Sequence, residues 1–217
     1  MNLYFGPNTD KPVIAALDVR RYLEEDKKCQ YQDGYSMAEA AKCWVSAAGH
    51  LPNSIERIVG SRNLNAAHFE YPTKVWGRGT AMTDVMAFIP DGVIAVEAKV
   101  NEPFDDVVSE WIERKATQNP RSPPHRRKVV QRYADALMVD AEHLLGIRYQ
   151  LLQRALCASI VARAEGLSEA WMIVQHFPRG DASDKVTNRS DFDAFVALVG
   201  KEPVMEGMKV RLAWANG

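Results

Sequence analysis

The sequence has little cysteine. Cys29, Cys43 and Cys157 are the three in 217 residues, far apart and odd in number. That excludes a disulfide framework and the paired spacing of a structural zinc site, and it fits a reducing compartment. No apolar run approaches the roughly 20 residues needed to cross a bilayer. The opening Met1-Asn2-Leu3-Tyr4-Phe5-Gly6-Pro7 lacks a basic stretch followed by an apolar one. The expectation is a soluble, cytoplasmic protein with no membrane partner. Neither sign of charge is in excess: 27 Lys and Arg stand against 28 Asp and Glu, for a net charge of -1. A general nucleic-acid coat, whose affinity rests on neutralising phosphates, is thereby disfavoured. There is no internal repeat and no low-complexity tract. His50, His68, His125, His143 and His176 are scattered without metal-ligand spacing, and no Ser-His-Asp or Cys-His arrangement can be read from residue order.

What is present is an ordinary globular composition, 47% hydrophobic and 25% charged, enough apolar material for a full core without metal or disulfide staples. A single domain spanning residues 1–217 is expected. One local bias stands out. Between Trp111 and Arg132 the basic residues are Arg114, Lys115, Arg121, Arg126, Arg127, Lys128 and Arg132, with Glu113 the only acid. Such a run is ordinarily a solvated helix face; it becomes a phosphate-facing surface only where the fold sets it beside the chemistry.

Along the chain, Ser36 to Val45 reads as a helix, with Ser36 as N-cap and Glu39 completing a capping box. A short helix follows Pro52-Asn53-Ser54 through Ile58. Strands are expected from about Ala67 to Trp76, Met82 to Ile89 and Val93 to Val100, the last two joined by a turn at Pro90-Asp91-Gly92. After Pro103 the period changes. Asp105-Asp106 opens a helix through Ile112, a loop holds Pro120, Pro123 and Pro124, and a longer helix runs from Val129 to Leu144, closed by Gly146. Tyr149 to Glu165 is a helix with Leu152, Leu156, Ile160 and Val161 as its stripe. Ala170 to Val174 reads as a buried strand, Asp191 to Val199 as a helix and Lys209 to Trp214 as a last strand. A meander followed by a helical crossover into another strand implies an α/β fold, a mixed β-sheet flanked by helices.

The second and third meander strands carry the chemistry. Side chains two apart share a face, so Glu97 and Lys99 point the same way. With Asp91 and Gly92 as the two loop residues, Pro90 pairs with Val93 and Asp84 falls opposite Lys99. Glu97 is then diagonal to Asp84, at about 7–8 Å between backbones. A three-residue loop would swing Asp84 to the other face unless a bulge corrected it. Ionisable groups amid Val, Ile, Met, Ala and Phe need a reason, because unpaired buried charge is costly. Two hard carboxylates suit Mg²⁺, and the lysine could stabilise phosphate charge or position an attacking water. The same residues also suit a cross-strand ion pair on a solvated face.

Asp84 followed, after a hairpin, by Glu97-Ala98-Lys99 resembles the signature of the PD-(D/E)XK nucleases, the restriction-endonuclease-like superfamily, among them small bacterial members. Their shared core is a helix, a three-strand meander, a crossover helix and a fourth strand. Here these would be the helix at Glu39, the strands up to Val100, the helix from Tyr149 and the strand at Trp171, with about 101–148 as a helical insertion. Thr83 stands where the signature has proline. The resemblance implies that Asp84 and Glu97 ligate Mg²⁺ or Mn²⁺ and that Lys99 serves as the water- or phosphate-positioning base. It further implies a glutamate from the first helix, for which Glu39 is the candidate, and a polar residue from the crossover helix, for which Gln153 is the candidate. Both also have plainer readings, as a capping residue and a surface glutamine.

The implied function is a divalent-metal-dependent nuclease hydrolysing phosphodiester bonds, with DNA the expected partner. Arg78, Arg126, Arg127 and Lys128 are candidate contacts to the substrate backbone. Gly77-Arg78-Gly79 precedes a strand, so it is a turn and not a phosphate-binding loop of known type. The five tryptophans are spread along the chain and read as core, not as a base-stacking platform. The alternative is a catalytically silent nuclease fold that binds nucleic acid or protein. A blander one is a homodimer, the default assembly, with an ordinary ion network.

Overall fold

The computed structural model describes residues 2–26, 32, 34–76, 79–114, 119–178 and 183–217, with the backbone alone considered for 183–187. Arg78, Lys115 and Cys29 lie outside the described residues. The elements are β1 (Leu3–Phe5), α1 (Ala16–Glu25), α2 (Ser36–Ser46), α3 (Asn53–Val59), β2 (Ala66–Lys74), β3 (Thr80–Ile89) and β4 (Gly92–Lys99). There follow α4 (Val108–Glu113), α5 (Ser122–Leu137), α6 (Ala141–Leu144), α7 (Tyr149–Ala164), β5 (Glu169–His176), α8 (Ser183–Val199), β6 (Val204–Met205) and β7 (Met208–Asn216). One mixed sheet of seven strands runs in the order β1-β2-β3-β4-β5-β7-β6. β2, β3 and β4 form the antiparallel meander, and β5 and β7 continue it in parallel beside β4. Parallel neighbours require a crossover, and α7 supplies it between β4 and β5. Among the described residues no helix is long and apolar enough to cross a membrane.

Each face of the sheet has its own core. Trp44, Ile55, Val19 and Leu23 of α1–α3 pack on Phe69, Val85, Ala87, Ile94 and Val96. On the other face, Leu151, Leu152, Ala155 and Ala158 of α7, with residues of α4, α5, α6 and α8, pack on Met86, Val93, Ala95, Met172 and Val174. Alternate residues of β4 therefore belong to opposite cores, as the strand period dictates. Glu97 and Lys99 continue the row Val93, Ala95 toward α7.

Several expectations change in detail. α2 begins at Ser36, but Tyr35 is its N-cap and no side chain of that residue caps it. The Ser36 N–H instead donates to Glu102 Oε1 at 3.2 Å, so an acid three residues past β4 takes the role expected of a local capping box. The long helix expected to Leu144 is two helices, α5 and α6. Met138 at φ 56° ends the first and the Asp140 side chain caps the second. α5 also starts inside the expected proline loop, because Pro123 and Pro124 stand in its first turn, where a missing N–H costs nothing.

The β3–β4 hairpin turns one residue earlier than its Asp-Gly pair suggests. Ile89 pairs with Gly92, leaving Pro90 and Asp91 as the loop. Gly92 answers a different demand: it pairs with Glu169 of β5, and a Cβ there would lie 2.9 Å from the Glu169 Cβ and 3.0 Å from its carbonyl oxygen. Glycine is needed for strand approach, not for the turn. The correction moves the register by two, so every side chain keeps its face. Counted on from Val85↔Val96, Asp84 falls opposite Glu97 rather than Lys99.

Candidate functional site

The site forms where regular sheet geometry breaks. On β2, Ala67 and Phe69 face the α1–α3 core, yet Tyr71, like Val75 just past the strand, packs into the core under α7. On β3, Val85, Ala87 and Ile89 face the first core and Ala81 the second. Residues two apart should share a face, so both strands change face at the same level. The level is marked by Glu70, a non-glycine residue at φ 51° in mid-strand. Phe69↔Val85 and Tyr71↔Thr83 are paired on either side of it, which leaves Glu70 and Asp84 as the skipped opposite positions. A left-handed conformation at such a residue costs about 1–3 kcal/mol.

The β3–β4 ladder also stops here. Its pairs run from Ile89↔Gly92 to Val85↔Val96, while β4 stays paired with β5 as far as Lys99↔His176. Two side chains take over the backbone groups beyond that point. Asp84 Oδ2 accepts the Ala98 N–H at 2.8 Å. The Met82 carbonyl accepts from Arg154 Nη1 at 2.8 Å. Asp84 thus reaches edge-on into the gap between two parting strands.

Glu97 is 1% exposed and Lys99 5%. Lys99 Nζ lies 3.0 Å from Glu97 Oε1 and 5.1 Å from the centre of the Phe104 ring. Glu97 Oε2 accepts from Arg154 Nε at 2.7 Å and Nη2 at 2.5 Å. Arg154 comes from α7, is 2% exposed, and also donates through Nη1 to Thr83 Oγ1 at 2.9 Å. Burial alone would raise the Glu97 pKa, but the Arg154 guanidinium and the Lys99 ammonium outweigh it and hold the carboxyl below its ordinary value. Asp84 goes the other way. Burial, then the adjacent Glu97 charge, push its pKa up to about 8, with Glu70 adding to the rise and Arg154 and Lys99 opposing it.

Of the residues expected at the site, the structure brings Asp84, Glu97 and Lys99 together. Glu39 pairs with Lys42 Nζ at 3.1 Å on α2, which packs on the face of the sheet away from Glu97 and Lys99. Gln153 faces the Tyr149 hydroxyl; Arg154, one position along α7, is the residue that turns to Glu97. The basic stretch largely meets other groups. Arg126 donates to the Trp111 carbonyl and stacks 4.8 Å from its ring. Arg127 pairs with Glu113 at 2.6 Å, Arg114 with Asp105 and Asp106, and Arg132 with Glu206 at 3.2 Å. Arg127 and Lys128 are exposed. Arg78 lies outside the described residues.

Sequence reasoning missed Arg154 and Glu70. A signal for Arg154 was there: it stands at the spacing of Leu151 and Ala158 on the buried stripe of α7. A charge at a core position calls for a buried partner. For Glu70 only an acid amid Ala67, Phe69 and Tyr71 was visible, and nothing local announced its backbone.

Chemically, the cluster offers a pair of hard oxygen donors beside an ammonium. Among the described residues no group of three or more His, Cys, Asp and Glu side chains could hold a metal. Searches of curated proteins and of solved structures return no match. The family comparison is positive: over residues 12–217 the chain matches, and belongs to, the family described as a domain of unknown function, DUF6946.

Proposed function

We propose that this chain is a divalent-metal-dependent phosphodiesterase, a cytoplasmic nuclease acting on DNA, built on a restriction-endonuclease-like core. The observation that carries the reading is the meeting of Asp84, Glu97 and Lys99 where β3 and β4 part. The order of elements supports it as well: α2, the meander β2–β4, the crossover helix α7 and the parallel strand β5 follow the PD-(D/E)XK order.

Two carboxylates fit Mg²⁺ or Mn²⁺, since Mg²⁺ takes one or two acids and completes its shell with water and substrate phosphate. The raised proton affinity of Asp84 comes first from burial and then from the Glu97 charge, and a cation bound beside it would favour its ionised form. Asp84 and Glu97 would hold the ion. Glu97 would do so through Oε1, because Oε2 already carries both Arg154 bonds. The chemistry supplied by the bound ion is charge neutralisation at the phosphate and a lowered pKa of water. Lys99, released from Glu97 Oε1, would place its ammonium against a phosphoryl oxygen and stabilise charge there. Exposed Arg127 and Lys128 would hold the nucleic-acid backbone from α5.

Labelled single- and double-stranded DNA and RNA, incubated with Mg²⁺ or Mn²⁺, test the reading. Cleavage by the wild type that is lost in Asp84→Asn and Lys99→Ala, both folded, is the expected result. The absence of cleavage with every substrate and metal would refute it. One observation favours a second reading, a silent nuclease fold used for binding. Glu97 is enclosed and both its oxygens are engaged by this chain's own cations. Calorimetry separates the two, because a silent scaffold has no need to hold Mg²⁺ at Asp84.

A further inference from the structure

Arg154 makes more bonds than a buried ion pair requires. Its Nε and Nη2 both reach Glu97 Oε2, at 2.7 and 2.5 Å, and its Nη1 reaches the Met82 carbonyl at 2.8 Å and Thr83 Oγ1 at 2.9 Å. The bonds fall into two sets, one on β4 and one on β3, on the two strands that separate at this level. The Met82 carbonyl belongs to the stretch of β3 that has left the β4 ladder. It is satisfied by Arg154 in the place of a β4 N–H. The free β4 amide, Ala98 N–H, is taken by Asp84. Both substitutions are needed for Asp84 to stand between the strands, since a buried backbone group left without a partner is costly. Arg154 also arrives on the rigid crossover helix, buried among Leu151, Ala155 and Ala158, so its fork is fixed in direction.

We propose that Arg154 is a positioning residue of the site: it clamps Glu97 by Oε2, leaving Oε1 on the Lys99 side, and holds β3 away from β4 so that Asp84 enters the gap opposite Glu97. It touches neither substrate nor metal and acts through Glu97 and Met82. The inference deepens the metal-dependent reading and rests on it for its functional consequence. Its structural content, the placement of Glu97 and the open ladder, stands apart from any metal. A lysine at 154 keeps the charge but offers one ammonium in place of a planar fork with donors on both sides, so it cannot serve both strands at once.

The test is Arg154→Lys in the full chain, with Arg154→Met beside it and the fold of each checked by circular dichroism and melting. Mg²⁺ and Mn²⁺ affinities are measured calorimetrically without substrate. Groups that orient metal ligands are worth about 10–100-fold in metal affinity, and Arg154→Lys is expected to lose that much while staying folded, with kcat reduced and KM for nucleic acid little changed. Unchanged metal affinity in folded Arg154→Lys overturns the proposal, as does loss of the fold in step with affinity, which would assign Arg154 to folding alone. If the wild type binds no metal, the nuclease reading falls, and a crystal structure of Arg154→Lys decides the positioning role by itself. A displaced Glu97, with the β3–β4 ladder extended past Val85↔Val96, supports it. A Glu97 and an Asp84 in unchanged places overturn it.

Discussion

Replacing Asp84 by asparagine in metal-free protein is expected to raise stability, and the gain is expected to grow with pH. In the folded chain the Asp84 pKa is pushed from 3.8 up to about 8, first by burial and then by the Glu97 charge. The folded protein therefore keeps a proton that the unfolded chain has released. A group raised in this way makes the folded state weaker as pH climbs from the unfolded value toward the folded one, here from about 4 to about 8. Each pH unit in that window is worth about 1.4 kcal/mol, which sets a ceiling of roughly 6 kcal/mol. Asp84 is only half-buried, and solvent screens its charge, so about 2–3 kcal/mol is the realistic gain. Asparagine preserves the acceptor for the Ala98 N–H, and it carries no charge for Glu97 to repel. The assay is urea unfolding of both proteins in chelator at several pH values between 4.5 and 8. Subtracting the two curves cancels the titrating groups that do not interact with Asp84. A difference that stays flat across the window would refute the reasoning, and so would a wild type more stable than Asp84→Asn at pH 8.

The same cluster predicts the opposite sign at its centre. Glu97→Ala leaves Arg154 and Lys99, 2% and 5% exposed, without their carboxylate. Breaking a buried pair costs about 3–5 kcal/mol, a melting temperature lower by about 6–20 °C for a chain of this size; scanning calorimetry showing a fall of under 2 °C would contradict it. Glu70→Gly relieves a left-handed backbone at φ 51° and is expected to leave stability unchanged or raise it by about 1 kcal/mol, while lowering any metal-dependent activity. A clear loss of stability on chemical unfolding would show that Glu70 is held by its side chain and not merely tolerated.

How much of this could be read from residue order depends on the range of the interaction. The meander, the crossover helix and the strand after it were legible because their periods are local: alternating Val93, Ala95 and Glu97 against Ile94, Val96 and Ala98, and the stripe containing Leu152 and Leu156. Elements that depend on a distant partner were not. β1 is three residues long and exists by lying parallel to Ala67–Phe69. α1 buries only Val19, Tyr22 and Leu23. The convergence of Asp84, Glu97 and Lys99 was legible although the turn was placed one residue late, since a register error of two preserves every face. The helix partner was not. Gln153 and Arg154 differ by about 100° around α7, and periodicity fixes which side of a helix is apolar without saying what that side meets across the sheet.

An ordinary structural ion network would look different. Glu97 and Arg154 already satisfy one another, and Lys99 completes the second oxygen. Folding has no use for a further carboxylate opposite them. Asp84 is desolvated and repelled by Glu97, and its bond from the Ala98 N–H could be accepted by a neutral asparagine. Glu70 adds another acid at the same level on a backbone that glycine would occupy with less strain. The left-handed Glu70 and the repelled Asp84 stand at the single level where two central strands change face and a third leaves the ladder. Departures from local consistency concentrated in one place are the mark of a site kept for what it binds.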